Sequence, residues 1–142
     1  MTQTEIDALR FMREEEKLAR DVYLALEEKW GLAVFSNIAE SEQQHMDKVL
    51  YLLGKYDLQD PALGPGYFTD EVLQDLYDEL IAKGGLSLID ALEVGVIIEL
   101  TDIEDIENYL NFIDNNDIIQ VFTNLLNGSE NHLAAFNSHI GN

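Results

Sequence analysis

Apolar residues recur every three to four positions over four long stretches of this chain, and that spacing is typical of amphipathic helices. We predict main helices over residues 4–30, 36–56, 88–112 and 117–139. Short loops join the first to the second and the third to the fourth, so each pair is expected to be antiparallel. The longer segment between the second and third holds both prolines and a short helix from Thr69 to about Ala82. The pattern therefore predicts an all-α fold, a four-helix bundle with one long crossover.

The predicted ends and irregularities of these helices rest on a few residues. Thr4 and Ser87 are the expected N-caps of the first and third main helices. Residues 94–98 are rich in β-branched side chains that also suit a strand, but a period near 3.6 over a long run favours a helix. Gly128 and Ser129 interrupt the pattern of the last helix and indicate a kink or a local bulge.

Composition narrows the classes of function. The chain has 142 residues with 46% hydrophobic residues, which suits one domain over residues 1–142 with a substantial core. Its 28 acidic and 8 basic side chains give a formal charge of −20, which repels phosphate backbones and anionic membranes. We therefore expect neither a nucleic-acid partner nor a membrane partner. The absence of cysteine and of a secretory signal pattern fits a cytoplasmic protein.

Each main helix carries acidic or imidazole side chains near its midpoint, on its apolar side. They are Glu16, Glu42, His45, Glu99, Asp102 and His132. A carboxylate in an apolar stripe is costly unless a cation offsets its charge. In an antiparallel bundle the midpoints share one level, so these groups are expected to converge. Carboxylate and imidazole donors without sulfur suit iron or manganese, and two ions sharing bridging carboxylates would spread the charge of four acids.

Each of these residues has a simpler explanation when taken alone. Glu42 and His45 are one turn apart, a spacing that is common by chance and fits a surface acid beside a polar histidine. Glu16 follows two other glutamates, and Asp102 opens an acidic run, so both fit a solvated face. His132 would also fit the core as a neutral imidazole. The coincidence of such groups on four helices favours a metal site over a dry polar core.

The motifs that carry these residues also resemble those of a known family. The first helix holds Glu16-Lys-Leu-Ala-Arg-Asp-Val-Tyr23 and the second holds Glu42-Gln-Gln-His45, while Glu99 and Asp102 stand on the third. The chain resembles the ferritin-like di-iron carboxylate proteins, nearest the rubrerythrin branch. Gly128-Ser-Glu-Asn-His132 is also similar to the signature of an uncharacterised microbial family of ferritin-like domains.

This resemblance implies a ferritin-like bundle with a crossover between its second and third main helices. It implies two iron ions, with manganese or zinc as alternatives, and either peroxide reduction or ferroxidation. The ligands that it implies are Glu16, Glu42, His45, Glu99, Asp102 and His132. Rubrerythrins also carry a cysteine-rich iron domain, which this chain lacks, so a redox cycle would need an external electron donor. Pairing into a homodimer is a further expectation from the resemblance.

The fourth helix departs from the family pattern, which places a glutamate three residues before the histidine. Ser129 stands at that position, and a serine hydroxyl is a poor iron ligand. Glu130 points about 100° away from Ser129. The site is therefore expected to have one carboxylate fewer, with Asp102 as the candidate replacement.

Four other residues lie near these groups in the predicted helices. Tyr23 is two turns beyond Glu16 on the same face, where its hydroxyl would either orient a ligating carboxylate or sit at the edge of the core. Tyr109 stands in the same relation to Asp102. Arg20 is expected to pair with an inward acid or to form a salt bridge at the rim, and Glu14 points off the apolar stripe.

Three functional hypotheses follow from these residues. The first is a di-iron oxidoreductase of the peroxidase or ferroxidase type. The second is a module that binds a divalent metal ion without catalysis. The third is a metal-free helical interaction domain whose inward acids are protonated or hydrogen-bonded. The serine at position 129 favours the second and third hypotheses over the first.

Overall fold

The computed structural model describes residues 1–141, which form five α-helices and no β-strand. The helices are α1 (Gln3–Trp30), α2 (Ala33–Lys55), α3 (Glu71–Gly84), α4 (Leu88–Leu110) and α5 (Asn116–Gly141). The predicted all-α class is confirmed, and every predicted helix is present with ends shifted by no more than three residues. Among these residues, none of the helices combines the length and the apolar character that a membrane span requires.

The helix ends follow from local hydrogen bonds. Thr2, not Thr4, caps α1, because Glu5 lies three residues after it and completes a reciprocal pair of bonds. The Thr2 hydroxyl accepts from the Glu5 amide at 3.1 Å, and a Glu5 carboxylate oxygen accepts from the Thr2 amide at 2.8 Å. The expected cap of α4 is confirmed, since the Ser87 hydroxyl accepts from the Asp90 amide at 3.0 Å.

The helix assignments of α4 and α5 test two irregularities that the sequence predicted. Residues 94–98 lie inside α4, so the helical interpretation of their β-branched run is confirmed. The local bulge expected at Gly128 and Ser129 is wrong, because α5 is an unbroken α-helix from Asn116 to Gly141. Packing against His45, rather than a bulge in the backbone of α5, accounts for the glycine at position 128.

The core consists of two hydrophobic clusters separated along the helix axes. The first hydrophobic cluster draws on residues 18–26 of α1, 35–39 of α2, 73–80 of α3, 91–98 of α4 and Phe136 of α5. The second draws on residues 8–12 of α1, 49–53 of α2, Ile106 of α4 and 118–125 of α5. In each main helix the inward polar residues fall between its contributions to the two clusters. The polar groups therefore form one layer between two apolar regions.

The order in which the helices pass the two clusters gives their directions. α1 and α5 reach the second hydrophobic cluster first, while α2 and α4 reach the first hydrophobic cluster first. The pairs α1–α2 and α4–α5 are therefore antiparallel, as their short loops predicted. These two pairs make the most extensive helix contacts, and α3 packs against α1 and α4.

Side chains of α1 bind the segment that joins α2 to α3. The Arg13 guanidinium forms an ion pair with Asp60, with Nε 2.9 Å from Oδ1. The Lys17 ammonium, which is only 1% exposed, donates to the Tyr67 carbonyl at 2.9 Å. This segment covers the side of α1 that would otherwise face solvent, and residues 13–19 of α1 are all buried as a result.

Glu14 is part of this attachment, which corrects its expected position on an exposed face. Its carboxylate is buried and accepts from the backbone amides of Thr69 and Asp70, at 2.7 and 3.1 Å. The amphipathic pattern did not indicate this role because the covering segment lies more than 50 residues away along the chain.

We expect Glu14→Ala to destabilise the fold by about 1–3 kcal/mol, because it leaves two backbone amides without their charged acceptor. Urea unfolding followed by circular dichroism measures this loss. Glu28→Ala, which removes an exposed glutamate from the same helix, is the matched control and is expected to unfold like the wild type. Equal stability of the two variants would contradict the attachment role.

Candidate metal centre

Three glutamates and two histidines form two overlapping groups in the polar layer. The first triad is Glu16, Glu42 and His45, and the second triad is Glu42, Glu99 and His132. Within each triad, one ligand atom per residue lies within 4.8 Å of the others. The three glutamates are fully buried, and the histidines are 6% and 7% exposed. Glu42 belongs to both triads, so its two oxygens lie between two potential ion positions.

Both histidines present the same ring nitrogen to the carboxylates. His45 Nδ1 lies 3.1 Å from Glu16 Oε1 and 3.6 Å from Glu42 Oε2. His132 Nδ1 lies 2.9 Å from Glu42 Oε1 and 3.5 Å from Glu99 Oε1. The other nitrogen of His132, Nε2, is 3.0 Å from the Ser41 hydroxyl. A hydrogen bond at that distal nitrogen is the usual way in which a protein fixes the orientation of a metal-binding imidazole.

Many of these atoms lack hydrogen bonds despite their burial. Both oxygens of Glu42, Glu16 Oε2, Glu99 Oε1 and His132 Nδ1 have no hydrogen-bond partner among residues 1–141. The 2.9 Å contact between His132 and Glu42 is thus not aligned for hydrogen bonding. Two ligand atoms at right angles, each about 2.1 Å from an ion, lie about 3.0 Å apart, so the spacing suits shared coordination. Buried polar atoms without partners are otherwise costly.

The pKa values of the buried glutamates also indicate that the polar layer lacks positive charge. Burial raises the pKa of Glu16 well above its usual value, and the charges of Asp102 and Glu42 add to this. Burial and the charge of Glu42 raise the pKa of Glu99 to about 8. Burial opposes ionisation of Glu42 as well, but the two histidines outweigh it and lower the pKa of that carboxyl. Without a cation, Glu99 therefore holds a proton at neutral pH, and ionisation of Glu16 is disfavoured.

His132 completes this charge pattern. Burial alone would lower its pKa, but the adjacent carboxylates of Glu42 and Glu99 outweigh burial and raise the pKa to about 10. In the metal-free protein the imidazolium of His132 is thus the positive partner of Glu42. A metal ion in the second triad would take over that role and release the proton.

Tyr23 lies where its hydroxyl reaches a member of the second triad. It donates to Glu99 Oε2 at 2.5 Å, and the residue is fully buried. Its ring packs in the first hydrophobic cluster, 5.2 Å from the centroid of Phe136. Burial and the charge of Glu99 raise the pKa of Tyr23 well above its usual value, so the hydroxyl keeps its proton and remains a donor.

Asp102 is close to the triads but belongs to neither. Its Oδ2 accepts a hydrogen bond from the Ser129 hydroxyl at 2.5 Å, and both residues are buried. The charge of Asp102 also contributes to the raised pKa of the Glu16 carboxyl. The hydroxyl of Ser129 thus positions the side chain of Asp102.

The comparisons with known proteins decide the family. The family described as "Uncharacterized protein domain (DUF2202)" matches residues 5–142. This chain belongs to the DUF2202 family. A relative from Methanocaldococcus jannaschii, "Uncharacterized protein MJ0754", is 51% identical over 138 residues, which are 96% of this chain and 75% of the relative.

Solved structures agree with the helical fold. The crystal structure of the hypothetical protein MJ0754 matches this DUF2202 chain with a TM-score of 0.98 at 50% identity, covering 99% of this chain and 82% of the other. A DUF305 fragment from Deinococcus radiodurans matches with a TM-score of 0.73 at 11% identity, covering 99% and 97%. The second likeness shows the fold alone. None of these descriptions names a ferritin or a rubrerythrin.

Two residues of the site escaped the sequence interpretation. The Ser41 hydroxyl forms a hydrogen bond with His132 Nε2. A serine that precedes a glutamate is not a recognisable sequence motif, so this role was not predicted. Gly128 faces the ring of His45, and a Cβ atom placed there would lie 2.5 Å from its Cε1 atom. The position of Gly128 one turn before His132 was an available signal, although it was interpreted as a kink.

Two expected neighbours of the site lie elsewhere. Arg20 donates to Asp21 and Gln43 rather than to Asp102 or Glu16, which agrees with a role at the rim. Tyr109 does not repeat the geometry of Tyr23, because it packs between Phe11 and Phe122 at the edge of the second hydrophobic cluster.

We expect Tyr23→Phe to fold normally and to bind metal about 10- to 100-fold more weakly, the usual effect of removing a hydrogen bond to a ligand. The remaining ring still fills the first hydrophobic cluster. Titration with Mn²⁺ under chelator competition measures the affinity. Tyr67→Phe, which changes an exposed tyrosine, is the control. Unchanged affinity in Tyr23→Phe would show that the hydroxyl does not support the site.

Proposed function

We propose that this protein binds two metal ions in its polar layer and uses them in redox chemistry. The first ion would be held by Glu16, Glu42 and His45, and the second by Glu42, Glu99 and His132. The proposal rests mainly on one observation, the set of buried carboxylate and imidazole atoms without hydrogen-bond partners in the described chain. Glu42 would contribute to both ions, which accounts for the presence of both of its oxygens in that set.

The proposed fold assignment is ferritin-like, nearest the rubrerythrin branch. Because α2 and α4 pass the two hydrophobic clusters in the same order, their connection has to return along the bundle, and α3 lies within that connection. A crossover of this kind supports a ferritin-like topology. The donor residues sit on four helices at one level, as that family's di-iron sites require.

Iron is the proposed occupant, with manganese or zinc as alternatives. Oxygen and imidazole nitrogen ligands suit all three metals, and no sulfur ligand is present in the sequence to bias the choice. Bound iron would supply electron exchange with peroxide or dioxygen. The chain itself supplies two apolar clusters that limit water access, and a tyrosine hydroxyl that orients Glu99. Turnover would need an external electron donor.

Metal analysis of protein prepared without chelators tests the binding, and peroxide addition to the Fe(II)-loaded protein tests the chemistry. We expect about two ions per chain and an absorption change on oxidation. Protein that binds no iron, manganese or zinc after reconstitution would leave the metal-free interaction domain as the better description.

A second candidate function is binding of divalent metal without catalysis. It is favoured by the engagement of Ser129 with Asp102, because the fourth helix then contributes only His132 to the triads. Stoichiometric iron that shows no absorption change with either peroxide or dioxygen would support this candidate and contradict the redox proposal.

Metal affinity is expected to rise steeply with pH. The raised pKa values of Glu99, about 8, and His132, about 10, mean that both groups hold protons below pH 8 in the metal-free protein. An ion in the second triad displaces both protons, so its apparent affinity should increase by up to about 100-fold per pH unit between pH 6 and 8. Titrations at several pH values, corrected for the chelator, measure this slope. A flat profile would contradict displacement of protons by the metal.

A further inference from the structure

The outward face of α4 carries a large share of the exposed hydrophobic side chains. Within residues 1–141, thirteen large hydrophobic side chains are exposed. Five of these belong to α4 or to the turn before it, namely Leu86, Leu88, Ile89, Ile97 and Leu100. A helix that packs on one side normally carries polar residues on the other. The exposed hydrophobic residues of α4 therefore need an explanation that its core packing does not give.

Four residues form a stripe along this face, which we call the α4 stripe. Ile89, Val96 and Ile103 are seven residues apart, or two helical turns, and Leu100 lies one turn beyond Val96. Ile89 and Leu100 are 51% and 52% exposed, so about half of each side chain is open to solvent. Val96 and Ile103 are half-buried. At 1.5 Å per residue, the α4 stripe is about 21 Å long.

The central part of this face carries little charge, unlike the chain as a whole. Between residues 94 and 103, every side chain that is not buried is uncharged. Asp90 and Glu93 precede this stretch, and both carboxylates lie beside the Lys83 ammonium, at 3.1 and 3.0 Å. With a formal charge of −20, two copies of the chain repel each other unless they meet through a surface of this kind.

We propose that the α4 stripe is the contact between two copies of this chain, with their α4 helices packed antiparallel about a two-fold axis near Val96. Such a contact buries the same stripe on both copies. Parallel packing would bring the exposed acids Glu104 and Glu107 of one copy against those of the other. Antiparallel packing instead places them beside the end that carries Lys83, and it also opposes the two helix dipoles.

The size of the α4 stripe sets the expected strength of this contact. Stable interfaces bury about 800 Å² on each partner, and a single helix face about 21 Å long contributes less than that. We therefore expect a reversible dimer with a dissociation constant in about the micromolar range. Because salt screens the repulsion between two strongly negative copies, the dimer fraction should rise with ionic strength.

Sedimentation velocity at protein concentrations from about 1 to 100 μM tests the proposal. The wild type is expected to approach twice the mass of the chain. In the antiparallel arrangement Leu100 of one copy lies opposite Glu93 of the other, so Leu100→Glu should weaken the dimer at least about 10-fold, whereas Leu100→Lys should retain it. Leu24→Glu is the matched control, since it changes a leucine of similar exposure, 48%, on α1, and it should dimerise like the wild type.

Thermal unfolding checks that each variant is folded, and Ile89→Glu, which would face Glu104 of the second copy, decides if Leu100→Glu is not. A wild type that stays monomeric at about 100 μM overturns the proposal and leaves a different protein as the occupant of the α4 stripe. A dimer of equal stability in the wild type and Leu100→Glu also overturns it, because the contact then lies elsewhere. Loss of the dimer in Leu100→Lys as well would overturn the antiparallel order.

Discussion

Glu42→Ala is expected to bind neither of the two proposed ions, the largest effect of any single substitution in this protein. Glu42 is the one residue common to both triads, and each of its oxygens faces one histidine. Its loss removes a ligand from both ions, and the effect on affinity should exceed the roughly 10- to 100-fold cost of losing a mere supporting hydrogen bond. Elemental analysis after reconstitution with Fe(II) under anaerobic conditions measures the loss.

Single-triad variants provide the internal comparison. His45→Ala should lose the first ion and retain much of the second, so its metal content should fall to about half that of the wild type. Glu40→Ala changes an exposed glutamate on the same helix and should leave the metal content unchanged. Wild-type metal content in both Glu42→Ala and His45→Ala would count decisively against the proposed site.

Gly128→Ala is expected to abolish binding of the first ion although it replaces glycine by the best helix former. The added Cβ would lie 2.5 Å from Cε1 and 2.7 Å from Nε2 of His45, distances that force the imidazole to move. His45 Nδ1 then loses its position beside Glu16 and Glu42. The measurement is again metal content, together with thermal unfolding of the metal-free protein.

Gly54→Ala is the control for this substitution. Gly54 also lies in a helix, but a Cβ there meets no atom within 4 Å. Its replacement should leave metal binding intact and stabilise the protein by up to about 1 kcal/mol. Normal metal content in Gly128→Ala would show that the ring of His45 tolerates displacement, and that glycine at this position is not required by the site.

The inward polar residues were predictable because each lies on a regular helical stripe. Glu16, Glu42, Glu99 and His132 share faces with core residues, and short loops set the levels of neighbouring helices. Their burial in one layer followed from these local rules. Asp102 lay on the same stripe, yet it accepts a hydrogen bond from Ser129 and belongs to neither triad. The stripe shows which face of the helix is buried, but it does not fix the direction of a side chain to within a few tens of degrees.

Burial of Glu14 and Glu15 was not predictable from the stripe. A single amphipathic face assumes that a helix has one packed side and one solvated side. The middle of α1 instead contacts α2, α4 and the segment before α3, so residues 13–19 are buried on every side. The packing of that distant segment depends on ion pairs and backbone hydrogen bonds across about 50 residues of chain, which local periodicity does not encode.

The sequence by itself determined the helices, their antiparallel pairing and the inward placement of most donor residues, because these depend on periodicity, caps and loop lengths. Only the tertiary structure decided which donors form triads, that both histidines present Nδ1, and that Gly128 makes room for His45. Those outcomes depend on distances of a few ångströms between helices. Such distances arise from the packing of the whole core and not from any one segment.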